Sequence, residues 1–123
     1  MSGIEFLIDS NILIYHLNGE EKATRFLKEN FDKSAISIIT YLEVMNFDFP
    51  TQEVADSVEA LLKRFLILNV DIKIAQKAIE NRRRKKIKLP DNIILATAQI
   101  YHLKLVTRNL GDFFDIEVVN PYV

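Results

Sequence analysis

A chain of 123 residues, 49% hydrophobic and free of cysteine, is large and apolar enough to fold as one domain, and it excludes a disulfide framework, a thiolate metal site and a cysteine nucleophile. Its formal net charge of -1 excludes polyanion binding over the whole surface, and no apolar run approaches the roughly 20 residues of a membrane helix. With no positively charged leader, no linker rich in Gly, Pro or Ser and no internal repeat, the expectation is a single domain over residues 1–123, soluble, cytoplasmic and without membrane contact.

Ile4 to Ile8 reads as a short strand and leads into a helix-capable stretch from Asn11. Glu20 to Phe31 then places Ala23, Phe26, Leu27 and Phe31 on one helical face. Ala35 to Ile39 is the second strand candidate, after which Thr40 opens a helix. Pro50-Thr51 starts another, with Val54, Val58, Leu61, Leu62 and Phe65 at helical spacing. Phe65 to Val70 reads as a third strand, Asp71 caps a helix that runs into the basic cluster RRRKKIK, and Pro90-Asp91 begins one more. Leu103 to Thr107 and Ile116 to Val119 supply the last two strands. Because the strands are continuous apolar runs, the expected fold is α/β: a three-layer α/β/α sandwich with a mostly parallel central sheet of about five strands. Sites in such sheets form beyond the carboxyl ends of the strands.

Within "FLIDSNILI", Asp9 is an acid set in the interior of the protein, where an ionised carboxylate costs several kcal/mol unless something compensates it. Asp9 follows the first strand, Glu43 lies in the first turn after the second, Asp91 opens a late helix, and Asp112 follows the fourth strand. Each acid has a purely structural explanation. Asp9 suits a helix cap, Glu43 stands three residues after Thr40 in the capping-box pattern, Asp91 after Pro90 complements a helix dipole, and Asp112 in Asn-Leu-Gly-Asp suits a turn. Together they say more, because a parallel sheet brings all four to one rim. Four like charges there repel one another unless a cation gathers them, and Mg²⁺ or Mn²⁺ prefers oxygen ligands of this kind.

Four blocks now stand in order: "LIDSNILI" around Asp9, "ISIITYLEV" around Glu43, "KLPDNIILATA" around Asp91 and "LVTRNLGDF" around Asp112. With these blocks the sequence resembles the PIN-domain family over nearly its whole length, and within that family the VapC-type ribonuclease toxins of prokaryotic toxin-antitoxin pairs. The resemblance implies a metal-binding active site of Asp9, Glu43, Asp91 and Asp112, with Asn11, Thr107 and Asn109 as polar supports. It implies metal-dependent hydrolysis of RNA phosphodiester bonds, in which Asp9 and Asp91, helped by Asp112, hold Mg²⁺ or Mn²⁺ and Glu43 binds a metal or orients the attacking water. A cognate antitoxin and a homodimer are implied as well. Some members carry a further carboxylate near the third block, where this chain has Asn92, Ile93 and Ile94.

Six of the seven residues from Arg82 to Lys88 are basic, namely Arg82, Arg83, Arg84, Lys85, Lys86 and Lys88. They suit an RNA backbone and equally suit a solvated helix end. "MNFDFP", Met45 to Pro50, supplies an apolar patch if exposed. His16 and His102 lack a paired metal spacing, and neither a phosphate-cradling glycine loop nor a G-x-S-x-G elbow occurs. The alternative from another class is a non-catalytic α/β interaction or signalling domain, either a degenerate PIN domain or a receiver-like module. A receiver would show an acidic pair where Ser10 and Asn11 follow Asp9, and a degenerate PIN domain would have lost carboxylates. A phosphatase of the haloacid dehalogenase type would need an Asp in place of Asn11.

Overall fold

The computed structural model describes residues 3–123, so the expected domain of residues 1–123 begins on two residues outside the described ones. Five short strands, β1 (Phe6–Ile8), β2 (Ser34–Ser37), β3 (Leu66–Leu68), β4 (Lys104–Val106) and β5 (Val118–Val119), pair in the order β3-β2-β1-β4-β5. Every pairing is parallel. Among the described residues six α-helices accompany them: α1 (Ser10–Leu17), α2 (Glu21–Asn30), α3 (Ile38–Met45), α4 (Gln52–Lys63), α5 (Ile72–Arg84) and α6 (Leu89–Tyr101).

Successive strand residues point to opposite faces, and the core divides accordingly. Ile8, Ile36 and Val106 pack with Ile12, Leu27, Val44 and Leu62 beneath α1, α2, α3 and α4. Leu7, Ala35 and Leu105 are register partners across β2, β1 and β4, and they pack against Ile94 and Ala98 of α6. Helix α5 joins α6 through Ile74, Ala78 and Ala96. The result is the expected three-layer sandwich.

Most helix starts lie where the sequence places them. Thr51 Oγ1 accepts from the Val54 amide at 3.1 Å, and Asp71 Oδ1 from the Ile74 amide at 3.0 Å. The exception is α3. Ser37, not Thr40, is its cap, accepting from the Ile39 amide at 3.1 Å, and the helix starts at Ile38. The apolar run through Ile39 hides this boundary, because periodicity does not separate a short buried strand from a buried helix start. Thr40 is therefore a fully buried residue inside the helix, the capping box with Glu43 does not form, and Glu43 lies in the second turn rather than the first.

At the other end of α6, His102 has φ 55°, the left-handed conformation in which the chain turns back so that the Leu103 amide reaches the Ala98 carbonyl at 2.9 Å. A side chain strains this conformation, whereas glycine does not. His102→Gly is expected to stabilise the fold by about 0.5–1 kcal/mol, read as a rise in the thermal unfolding midpoint. A midpoint at or below that of the wild type would refute it.

Strand order fixes the position of the site. From β1 the chain steps outward to β2 and β3, then returns to lay β4 on the other side of β1. The order reverses between β1 and β4, and the crevice at their carboxyl ends is where parallel sheets bind ligands.

Candidate active site

Asp9 is the residue directly after β1 and is 6% exposed, while Thr107, directly after β4, is fully buried. Ser10 N donates to Asp9 Oδ1 at 2.7 Å, and Thr107 Oγ1 donates to Asp9 Oδ2 at 2.7 Å. The same threonine oxygen accepts from Asn11 Nδ2 at 3.2 Å and from the Asn109 amide at 3.0 Å. With both lone pairs used, the hydroxyl proton has one destination, the carboxylate of Asp9. Asn11, Thr107 and Asn109 thus form one hydrogen-bonded unit around this acid.

Burial pushes the Asp9 carboxyl above its ordinary value of 3.8; the hydrogen bonds from Thr107 and Ser10 oppose this, and the charges of Asp91 and Glu43 add to the rise. Asp91, in the first turn of α6 after Pro90, is also raised, by burial first, then by Asp112 and Glu43, with Lys88 opposing. Glu43 is an exposed residue whose Oε1 accepts from Ser10 Oγ at 2.6 Å. Asp112 lies in the loop after β4, where Asn109 Nδ2 contacts its Oδ2 at 3.4 Å. Four acids from four separate segments therefore repel one another at one rim.

The donor set suits a hard divalent cation. It offers carboxylate oxygens, a residue whose burial disfavours its own charge, and the side-chain oxygen Asn11 Oδ1, which is buried without a hydrogen-bond partner among the described residues. Among the described residues no group of three His, Cys, Asp or Glu side chains is arranged to hold a metal as it stands. The acids are electrostatically coupled but not drawn into a ready coordination shell.

Two participants escape sequence reasoning. Ser10 bridges the Asp9 and Glu43 segments through Oγ, which also lies 3.2 Å from Thr40 Oγ1. Its only sequence signal is adjacency to Asp9. Arg108, beside Thr107, stacks its guanidinium 4.0 Å from the Tyr122 ring centroid and 5.1 Å from that of Tyr15. Tyr15 and Asn11 are one helical turn apart on α1, so that helix grips consecutive residues of the loop after β4.

The position after Asp91 does not face the rim. Asn92 is 3% exposed, donates from Nδ2 to the Ala78 carbonyl at 2.7 Å and accepts from Asn81 Nδ2 at 3.1 Å. Of the basic stretch, Arg82, Arg83 and Arg84 form the last turn of α5, and all six basic residues are exposed. Lys85 Nζ donates to the Gly111 carbonyl at 2.7 Å, and Arg84 pairs with Asp115. In "MNFDFP", Met45 and Phe49 pack against the core, and Phe47 is exposed beside a groove of about 310 Å³ that Ile14, Leu17 and Val54 also line.

The PIN domain family model matches residues 6–117. Among solved structures, the chain is 39% identical to a chain of a toxin-antitoxin complex from Klebsiella pneumoniae, covering 96% of this chain and 98% of that one, with a TM-score of 0.81. It is 25% identical to a chain of FitAcB from Neisseria gonorrhoeae, covering 95% and 98%, with a TM-score of 0.82. VapBC2 from Rickettsia felis, bound to a DNA fragment from its promoter, shares the fold at 21% identity and a TM-score of 0.80, covering 95% and 98%. No curated protein matches the chain. A family match over residues 6–117, on a parallel sheet whose carboxyl rim gathers Asp9, Glu43, Asp91 and Asp112, shows that the chain belongs to the PIN domain family.

Proposed function

We propose that this chain is a metal-dependent endoribonuclease of the VapC toxin type, acting in the cytoplasm and restrained by a cognate antitoxin. The observation that carries the reading is Asp9, buried at the reversal point of the sheet and raised in pKa by its own burial and by the charges of Asp91 and Glu43. The 39% identity to a chain of a complex named as toxin and antitoxin supports the toxin role and the antitoxin partner. Among the described residues no helix is long and apolar enough to cross a membrane.

In this reading Asp9, Asp91 and Asp112 hold Mg²⁺ or Mn²⁺. When bound, the ion supplies Lewis acidity toward the phosphate and toward water. Thr107 and the Ser10 amide fix the Asp9 carboxylate in one orientation, and their hydrogen bonds favour its charged form. The Ser10 hydroxyl holds Glu43 Oε1 in place, and Oε2, without a hydrogen bond among the described residues, is left to bind a metal or orient the attacking water. Around the site, Arg82, Arg83, Lys86 and Lys88 attract the RNA backbone without reading its sequence. A homodimer belongs to the same proposal.

Purified protein incubated with a mixed RNA pool is expected to cleave it with Mg²⁺ or Mn²⁺ and to stop in EDTA. Addition of Mn²⁺ alone is expected to raise the thermal midpoint. Absence of both cleavage and a thermal response would favour the non-catalytic interaction domain instead.

A further inference from the structure

Residues 107–117, the segment that carries Asp112, contain neither helix nor strand. Phe113 and Ile116 pack against the core, but among the described residues the Asp112 carboxylate has only the 3.4 Å contact with Asn109, three residues away in the same loop. Its placement therefore depends on what grips the loop from outside.

Helix α1 holds the start of the loop at Thr107 and Arg108, and the grip on residues 111–115 comes from the end of α5. Lys85 Nζ donates to the Gly111 carbonyl at 2.7 Å, immediately before Asp112. Arg84 pairs with Asp115 at 2.5 Å and stacks 4.5 Å from the Phe114 ring centroid. Through the interior, Asn81, 1% exposed, donates from Nδ2 to Asn92 Oδ1 at 3.1 Å and to Gln99 Oε1 at 2.8 Å. Gln99 Nε2 in turn reaches the Phe114 carbonyl at 3.3 Å. One exposed ion pair contributes little to stability. Here, however, a carbonyl bond, an ion pair, a cation-π stack and a partly buried amide chain converge on residues 111–115. The amide chain also holds Asn92, the neighbour of Asp91, so both late acids are referred to the same helix end.

We propose that Arg84 and Lys85 are positioning residues that fasten the Asp112 loop, and that the basic stretch has two tasks rather than one. Arg82 and Arg83, exposed and in no ion pair among the described residues, remain for a polyanion. The inference rests on the metal-site reading above.

The test compares two double variants of the full chain with the same charge loss, Arg84→Met with Lys85→Met and Arg82→Met with Arg83→Met. Removing two positive charges near an acidic site by itself strengthens cation binding. Misplacing a ligand-bearing loop weakens it, on the order of tenfold. The 84/85 pair is therefore expected to bind Mn²⁺ less tightly by calorimetry, to exchange amide hydrogens faster over residues 109–115, and to lose kcat with little change in KM. The 82/83 pair is expected to keep wild-type exchange, to bind Mn²⁺ at least as tightly, and to show a raised KM for RNA. Should the 84/85 pair keep its Mn²⁺ affinity and its exchange rates while KM alone rises, both residues are RNA contacts and the positioning role is wrong. Wild-type protein that takes up no Mn²⁺ would instead overturn the metal reading on which this role rests.

Discussion

Asp91→Asn is expected to unfold at a higher temperature than the wild type without metal, by a few degrees, while losing RNA cleavage by on the order of a hundredfold or more. The two effects share one cause. Asp91 is raised in pKa by partial burial and by the charges of Asp112 and Glu43, so its ionised form works against the metal-free fold. Asparagine keeps the shape and removes the charge, and it also removes a ligand for the cation. Asp9→Asn is expected to lose activity as severely without the same gain in stability. Both Asp9 oxygens accept from donors, Ser10 N and Thr107 Oγ1, and an amide there points its NH₂ group at one of them. Thermal unfolding in EDTA and cleavage assays on the two variants check both halves. An Asp91→Asn protein that is destabilised and still active would remove this acid from the site.

Without metal, the contribution of Asp9 and Asp91 to stability is expected to fall as the pH rises. Both carboxyls lie above the ordinary value of 3.8 in the folded state. Between that value and their raised folded values the native protein binds more protons than the unfolded chain, so the free energy of unfolding decreases with pH. Their contribution is complete below the unfolded value and is lost as the pH climbs through the folded ones. Mn²⁺ reverses the sign, because it binds the ionised carboxylates and its stabilisation grows as they lose protons. Unfolding midpoints followed from about pH 4 to pH 7, for wild type and Asp91→Asn in EDTA and in Mn²⁺, isolate the effect. If the difference between the two proteins has the same pH slope with and without the ion, Asp91 does not bind it.

The layered α/β plan was legible because apolar runs such as Phe6–Ile8 and Leu105–Val106 alternate with helical spacing, and a strand buried on both faces leaves that trace. Strand ends were less legible. Phe65 extends the apolar run before β3 and Val70 follows it past Asn69, yet only Leu66–Leu68 pairs, since Phe65 packs into the core without joining the sheet and Val70 is exposed. The capping-box reading of Glu43 failed for a related reason: Ser37 offered the cap first, and composition alone cannot rank two hydroxyls three residues apart.

By itself the sequence determined the parallel sandwich and the presence of Asp9, Glu43, Asp91 and Asp112 in their four blocks, because side-chain periodicity and the cost of a buried charge act locally. Only the tertiary structure decided which groups meet. The strand order set Thr107 against Asp9 across 98 positions of chain, Ser10 against Glu43 across 33, and Lys85 against the Asp112 loop across 26. Hydrogen bonds and charge repulsion depend on distance in space, and separation along the chain carries no trace of that distance until the sheet closes it.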